Sequence, residues 1–199
     1  IYIVQSSTTL RSFKNTLIVS GVGALLAVGL GFFVAYLTQR LKPRGFATLD
    51  TLALLPFGVP GIVLGLGLLW AYAYLPIPLY GTLTLLVIAY VTRYLPYATE
   101  TIGAQLVQIA RSLAESAWGS GATRSMTLRR ILMPIVRPAL QSSYFLLFVA
   151  FFREISSAVL IYTASTTVIS VSIWGFFEQA SWGQASALSV VAIVVILCV

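Results

Sequence analysis

Two places in this 199-residue chain put charged side chains where charge is costly or unexpected. One is Arg153-Glu154, inside an apolar run spanning 136–158. The other is ESAWGSGATRSMTLRRILMP, residues 115–134, which sets Glu115, Arg124, Arg129 and Arg130 around Gly119 and Gly121 between long apolar stretches. Neither makes a catalytic constellation. The chain has no histidine, so catalysis or metal ligation through imidazole is excluded, and Asp50 is its one aspartate. An intramembrane enzyme would need a serine with a histidine, or paired aspartates. No GxxxxGK[ST] phosphate loop is present, so the chain does not hydrolyse ATP by that device. Cys198 is the one cysteine, and no disulfide can close within the chain.

The elements that must position these residues are membrane spans. The composition is 59% hydrophobic and 9% charged, with a mean hydropathy of +0.96. A soluble domain carries about 25% charged residues, so lipid must be the solvent for most of this surface. A spanning helix needs about 20 predominantly apolar residues. Five stretches are candidates: 16–37; 51–74, interrupted by Pro56 and Pro60; 81–97, weaker at its end where Arg93 and Pro96 lie; 136–158; and 183 onward. The expectation is an all-α membrane protein, a bundle of about five transmembrane helices forming one domain over 1–199. The chain begins without Met and stops inside an apolar run, and is read as part of a longer polypeptide.

Lysine and arginine favour cytoplasmic loops. The loop 38–50 holds Arg40, Lys42 and Arg44. The segment 93–137 holds Arg93, Arg111, Arg124, Arg129, Arg130 and Arg137. Against these nine stand Arg11 and Lys14 on the other side. The expected topology has the N-terminus outside and residues 103–135 as a cytoplasmic loop. The formal net charge of +7 is distributed around spans. It is not gathered with aromatics on one face as a nucleic-acid binder requires.

Within that loop, Leu106, Ile109, Leu113 and Ala117 recur at three- and four-residue steps, predicting a helix over 104–118. Gly119 and Gly121 break it. Thr123 is a candidate N-cap for a second helix carrying Met126, Leu128, Ile131 and Leu132, which Pro134 should stop or kink. Two short helices on a glycine elbow make a knob able to enter a groove on a soluble partner, or to rest on the membrane surface.

Glu115-Ser116-Ala117, Gly121 and Ile131-Leu132-Met133-Pro134 resemble the EAA signature of permease subunits in binding-protein-dependent ABC importers. Ser116 stands for an alanine of that signature and Met133 for a leucine. The resemblance implies that Glu115, Ser116, Ala117, Gly121, Ile131 and Pro134 form a coupling helix that docks on nucleotide-binding ATPase subunits. It implies that those subunits bind ATP and Mg, that this chain holds no cofactor of its own, and that a second permease half or homologous subunit completes the pathway. It places the chain in the bacterial cytoplasmic (inner) membrane. The pattern FREISSAVLIYT…TVISVSIWGFFEQASWGQASAL is similar to iron(III)-type permeases, in which a separate substrate-binding protein holds the metal. Polyamine, thiamine and phosphonate permeases are close neighbours.

Pro56, Gly58, Pro60, Gly61, Gly65 and Gly67 crowd the second candidate span. Proline kinks a helix, and glycines four apart allow close helix approach. These residues serve either packing or a bent helix at a translocation gate; the resemblance favours Pro56, Pro60 and Gly61 as gate positions. Ionisable groups in a span face a bundle interior or a water-filled cavity, so Arg153 and Glu154 are pathway or outer-gate candidates. The alternative is that Arg153 snorkels to the interface. The segment 159–182 is expected to run as a helix along the outer face, where a docked binding protein could touch it. An ion-coupled transporter or channel is the rival class, with Glu154 as its one intramembrane acid.

Overall fold

The computed structural model describes residues 7–41 and 47–198. Lys42 and Arg44, counted above for topology, lie outside the described residues. Helix α1, Ser7–Ala35, continues as a π-helix over Tyr36–Leu41. Its buried positions include Ser12, Thr16, Ser20, Ala24, Ala27, Gly31 and Ala35, small residues at three- and four-residue steps. Its large apolar residues, Leu17, Leu25, Leu26, Leu30 and Phe33, are exposed. This is the distribution expected when lipid is the solvent and small residues admit a neighbouring helix.

The second candidate span is broken. Helix α2, Ala47–Leu54, runs into a 3-10 turn, Leu55–Gly58, and α3, Gly61–Tyr74, departs from it at 104°. Pro56 sits in the 3-10 turn and Pro60 is the N-cap of α3. Both lack an N–H, and the residue before a proline is driven out of the helical region.

Helix α4, Leu83–Gln108, is the centre of the bundle and packs against α1 and α7. It corrects the sequence reading twice. The span expected over 81–97 extends to Gln108 with Pro96 buried inside it, and Arg93 is an interior helical residue, not a loop cation. A break at Ile109–Ala110 follows, then α5, Arg111–Gly119. The helix expected over 104–118 is therefore two, with 104–108 belonging to α4.

Helix α6, Arg124–Thr127, a π-turn, Leu128–Leu132, and α7, Met133–Phe152, form one uninterrupted helical stretch. Pro134 does not stop it. The preceding π-turn widens the backbone just where proline cannot donate and its ring would crowd a carbonyl one turn earlier. Helix α7 ends at Phe152, short of the expected 158, so Arg153 and Glu154 lie in a turn beyond the helix. After a short α8, Ala158–Ile161, come α9, Ile169–Glu178, and α10, Trp182–Leu197.

Among the described residues, two helical stretches are long and apolar enough to cross a membrane by themselves, Ser7–Leu41 and Arg124–Phe152, and three if the bent pair is one span. Two of the expected spans fall outside that criterion for physical reasons. α4 is long enough but carries Arg93 and Glu100, and α10 covers 16 residues.

Candidate functional site

The elbow is built as a helix C-cap followed directly by an N-cap. At the end of α5, Ala122 N–H donates to the Ala117 carbonyl and Gly121 N–H to the Trp118 carbonyl, both at 2.9 Å. These are the paired bonds of a Schellman motif, which needs a left-handed residue after the helix. Gly121 supplies it at φ +85°. Two residues later, Thr123 Oγ1 accepts from Met126 N–H at 3.2 Å and opens α6. Leu113, Trp118 and Met126 are left exposed on this knob. Glu115 and Ser116 are exposed, Ala117 and Ile131 half-buried, and Pro134 exposed on the first turn of α7. The sequence reading missed Arg40. Its guanidinium donates to the Ile109 carbonyl at 2.7 Å, which ties the end of the first helical stretch to the break between α4 and α5. Glu115 lines a small pocket beside it with Arg40, Arg111 and Arg124.

The second site is a buried carboxylate. Glu154 is 4% exposed at its side chain, and its oxygens are shared among three segments. Tyr94 O–H donates to Oε2 at 2.5 Å, and Arg93 Nε lies 3.6 Å from the same oxygen. Ser157 N–H donates to Oε1 at 3.1 Å. The backbone carbonyl of Glu154 accepts from Tyr90 O–H at 3.0 Å and from Ser170 Oγ at 2.7 Å. A buried carboxylate requires such partners to stay in an apolar interior.

The broken helix closes on this network. A Cβ at Gly61 would collide with the Arg93 guanidinium and lie 2.8 Å from Ser156 Cβ; one at Gly65 would lie 2.8 Å from the Ser157 carbonyl oxygen. The two glycines four apart thus pack α3 onto the turn after α7. Gly61, Arg93 and Glu154 meet; Pro56 and Pro60 shape the bend; Arg153 does not join them. Arg153 is exposed and lines a groove with Tyr94, Tyr97 and Phe145 between α4 and α7. The adjacent acid and base of the sequence have separate surroundings, and the base that pairs with Glu154 is Arg93. The signal was present: opposite charges in two different apolar runs.

The sequence pattern of the family described as "Binding-protein-dependent transport system inner membrane component" matches residues 27–199. The chain belongs to this family. Among curated members, it is 32% identical over 188 residues to the "Ferric transport system permease protein FbpB" of Actinobacillus pleuropneumoniae, covering 94% of this chain and 27% of that protein. It is 25% identical over 207 residues to the "Putative 2-aminoethylphosphonate transport system permease protein PhnV" of Salmonella typhimurium, covering 98% of this chain and 78% of that one. The chain spans 25 to 36% of the length of the ferric-system relatives it matches. Among solved structures, a chain of a bacterial alginate ABC transporter in complex with an alginate pentasaccharide-bound periplasmic protein superposes with a TM-score of 0.82 at 20% identity. It covers 98% of this chain and 78% of that one. The family member described here therefore has the helical fold of an ABC transporter membrane subunit and is a multi-pass inner-membrane component.

Proposed function

We propose that this chain is the translocation-pathway unit of an ATP-driven importer, with the 111–132 elbow as the element that docks on a separate nucleotide-binding ATPase subunit. The observation that carries the reading is the elbow itself. The EAA-like residues fall on α5, on the elbow and on the first part of the 124–152 stretch, joined by a C-cap at Gly121 and an N-cap at Thr123, with Leu113, Trp118 and Met126 exposed for a partner. The knob leads without interruption into the long helical stretch 124–152. In this reading the elbow is cytoplasmic and α9 lies on the outer side. The basic asymmetry supports that orientation even after Arg93 is removed from the count, at eight (nine less one) against two. A second permease half completes the pathway, and an extracytoplasmic binding protein delivers the solute.

The cargo proposed is iron(III), on the similarity to ferric-system permeases; the phosphonate-system relative supports a small organic anion as the second choice. Binding of the metal itself is assigned to the binding protein. The test is to purify the full-length protein from its native membrane, identify co-purifying subunits, and measure ATP hydrolysis with the binding protein loaded or empty. A nucleotide-binding subunit and stimulation by iron(III)-loaded protein are expected. Stimulation by a phosphonate-loaded protein instead would replace the cargo and leave the machinery standing. Solute uptake driven by an ion gradient, with no ATPase subunit present, would overturn the reading.

A further inference from the structure

The helical stretch Arg124–Phe152 has the elbow at one end and Glu154 just beyond the other. Twenty-nine residues place these ends roughly 43 Å apart at 1.5 Å per residue. At the far end, Glu154 holds Tyr94 and Arg93 of α4, and Arg93 lies directly against Gly61, the first residue of α3 after the 104° break. Gly65, one turn on, rests on the backbone of Ser157, whose N–H donates to Glu154. The bend of the broken helix is thus packed onto one carboxylate, and that carboxylate is carried by the rod that starts at the elbow.

We propose that Glu154, Arg93 and Tyr94 are positioning residues for transport: they clamp the hinge between α2 and α3 to the far end of the 124–152 rod, so that a displacement of the elbow re-sets the bend at Gly61. This deepens the importer reading and rests on it. Three features favour a transmitting joint over simple packing. The rod is one continuous helical stretch between the two ends. The link between α4 and the turn after α7 is polar and directional, so a shift of the rod is passed to Arg93, on which α3 rests by close contact at Gly61. Glycine at 61 leaves no side chain between the hinge backbone and the Arg93 guanidinium, so the two are in direct contact. Arg93 Nη1 is buried without a hydrogen-bond partner among the described residues.

The experiment uses the full transporter, with its ATPase and binding protein, in proteoliposomes. Spin labels at Trp70 on α3 and Ser142 on α7, both exposed, report the hinge in a Cys198→Ser background. In the otherwise unmodified protein their separation should change between nucleotide-free and ATP-trapped states. In Glu154→Gln the complex should assemble and hydrolyse ATP, but the change in separation should fall to less than half and transport at least 10-fold. Tyr94→Phe removes a single hydrogen bond and serves if Glu154→Gln fails to assemble; a roughly 3-fold loss of transport with a reduced distance change is expected. A full distance change with normal transport in either assembled variant overturns the proposal. If the unmodified complex shows no ATP-dependent transport, it is the importer reading that fails.

Discussion

The side-chain amide of Asn15 donates to the backbone carbonyl of Ser165 at 3.0 Å, across 150 residues of sequence. The same amide donates to the Thr167 carbonyl at 3.0 Å, and the neighbouring Thr16 Oγ1 accepts from Ile169 N–H at 2.8 Å. One turn of α1 therefore holds the non-helical strand of chain that leads into α9. Backbone carbonyls with no helical partner must be satisfied by something, and here a single asparagine serves two. Asn15→Leu leaves both bare and should destabilise the protein by about 1–2 kcal/mol. Faster proteolytic cutting within 163–168, with α1 and α4 otherwise intact, is the expected signature; unchanged cutting would show that the segment holds itself.

Gly61 and Gly65 should be intolerant where Gly67 is not. An added Cβ meets the Arg93 guanidinium at Gly61 and the Ser157 backbone at Gly65, but meets nothing within 4 Å at Gly67. Gly61→Ala and Gly65→Ala should lower complex yield or thermal stability in detergent, and Gly67→Ala should match the unmodified protein. Three equal yields would mean that α3 does not pack on the turn after α7.

Gly121 separates backbone strain from partner contact. Its φ of +85° penalises any L-residue, yet no atom lies within 4 Å of an added Cβ. Gly121→Asn should be nearly tolerated, Gly121→Ala should cost about 1 kcal/mol locally, and Gly121→Val more. Since the elbow lies outside the spans, membrane levels should hold while uptake and stimulated ATP hydrolysis fall in the order Asn, Ala, Val. Normal uptake by Gly121→Val would remove the elbow from the coupling mechanism. Gly119, helical and unobstructed, should accept alanine without effect.

Topology can be read with single cysteines at Ser125 and Gln179, both exposed, in a Cys198→Ser background. An impermeant thiol reagent applied to intact cells should label position 179 and spare 125. The reverse pattern would invert the protein and place the elbow away from any cytoplasmic ATPase.

The sequence made the elbow legible because caps and turns are local: Thr123, Gly121 and the basic residues around them act within a few positions of themselves. Helix ends were harder. Pro134 reads as a stop or a kink and Pro96 as the weak end of a span, but a π-turn before one and a buried bundle position for the other let both helices continue. The Glu154 site was half legible. Its cost in an apolar run was evident, but its neighbour in sequence, Arg153, drew attention from its neighbour in space. Adjacent residues diverge by about 100° on a helix, and here the helix has already ended at Phe152, before both of them. Arg93 reads as a loop cation because charge and a nearby proline both argue against a helix interior. Only the packing of α1, α4 and α7 makes an interior charge affordable.

The pairing of Arg93 with Glu154 also imposes an order in time. Tyr94 and its carboxylate are 60 residues apart in the chain. At about 5–20 residues per second of synthesis, Tyr94 exists for roughly 3–12 s before Glu154 has been made. During that interval the arginine has yet to meet its counter-charge, and an arginine at the centre of a helix opposes insertion by about 2.5–3.5 kcal/mol. The charge at the centre of α4 is thus offset by a residue that the ribosome makes later, beyond the whole of the 124–152 stretch.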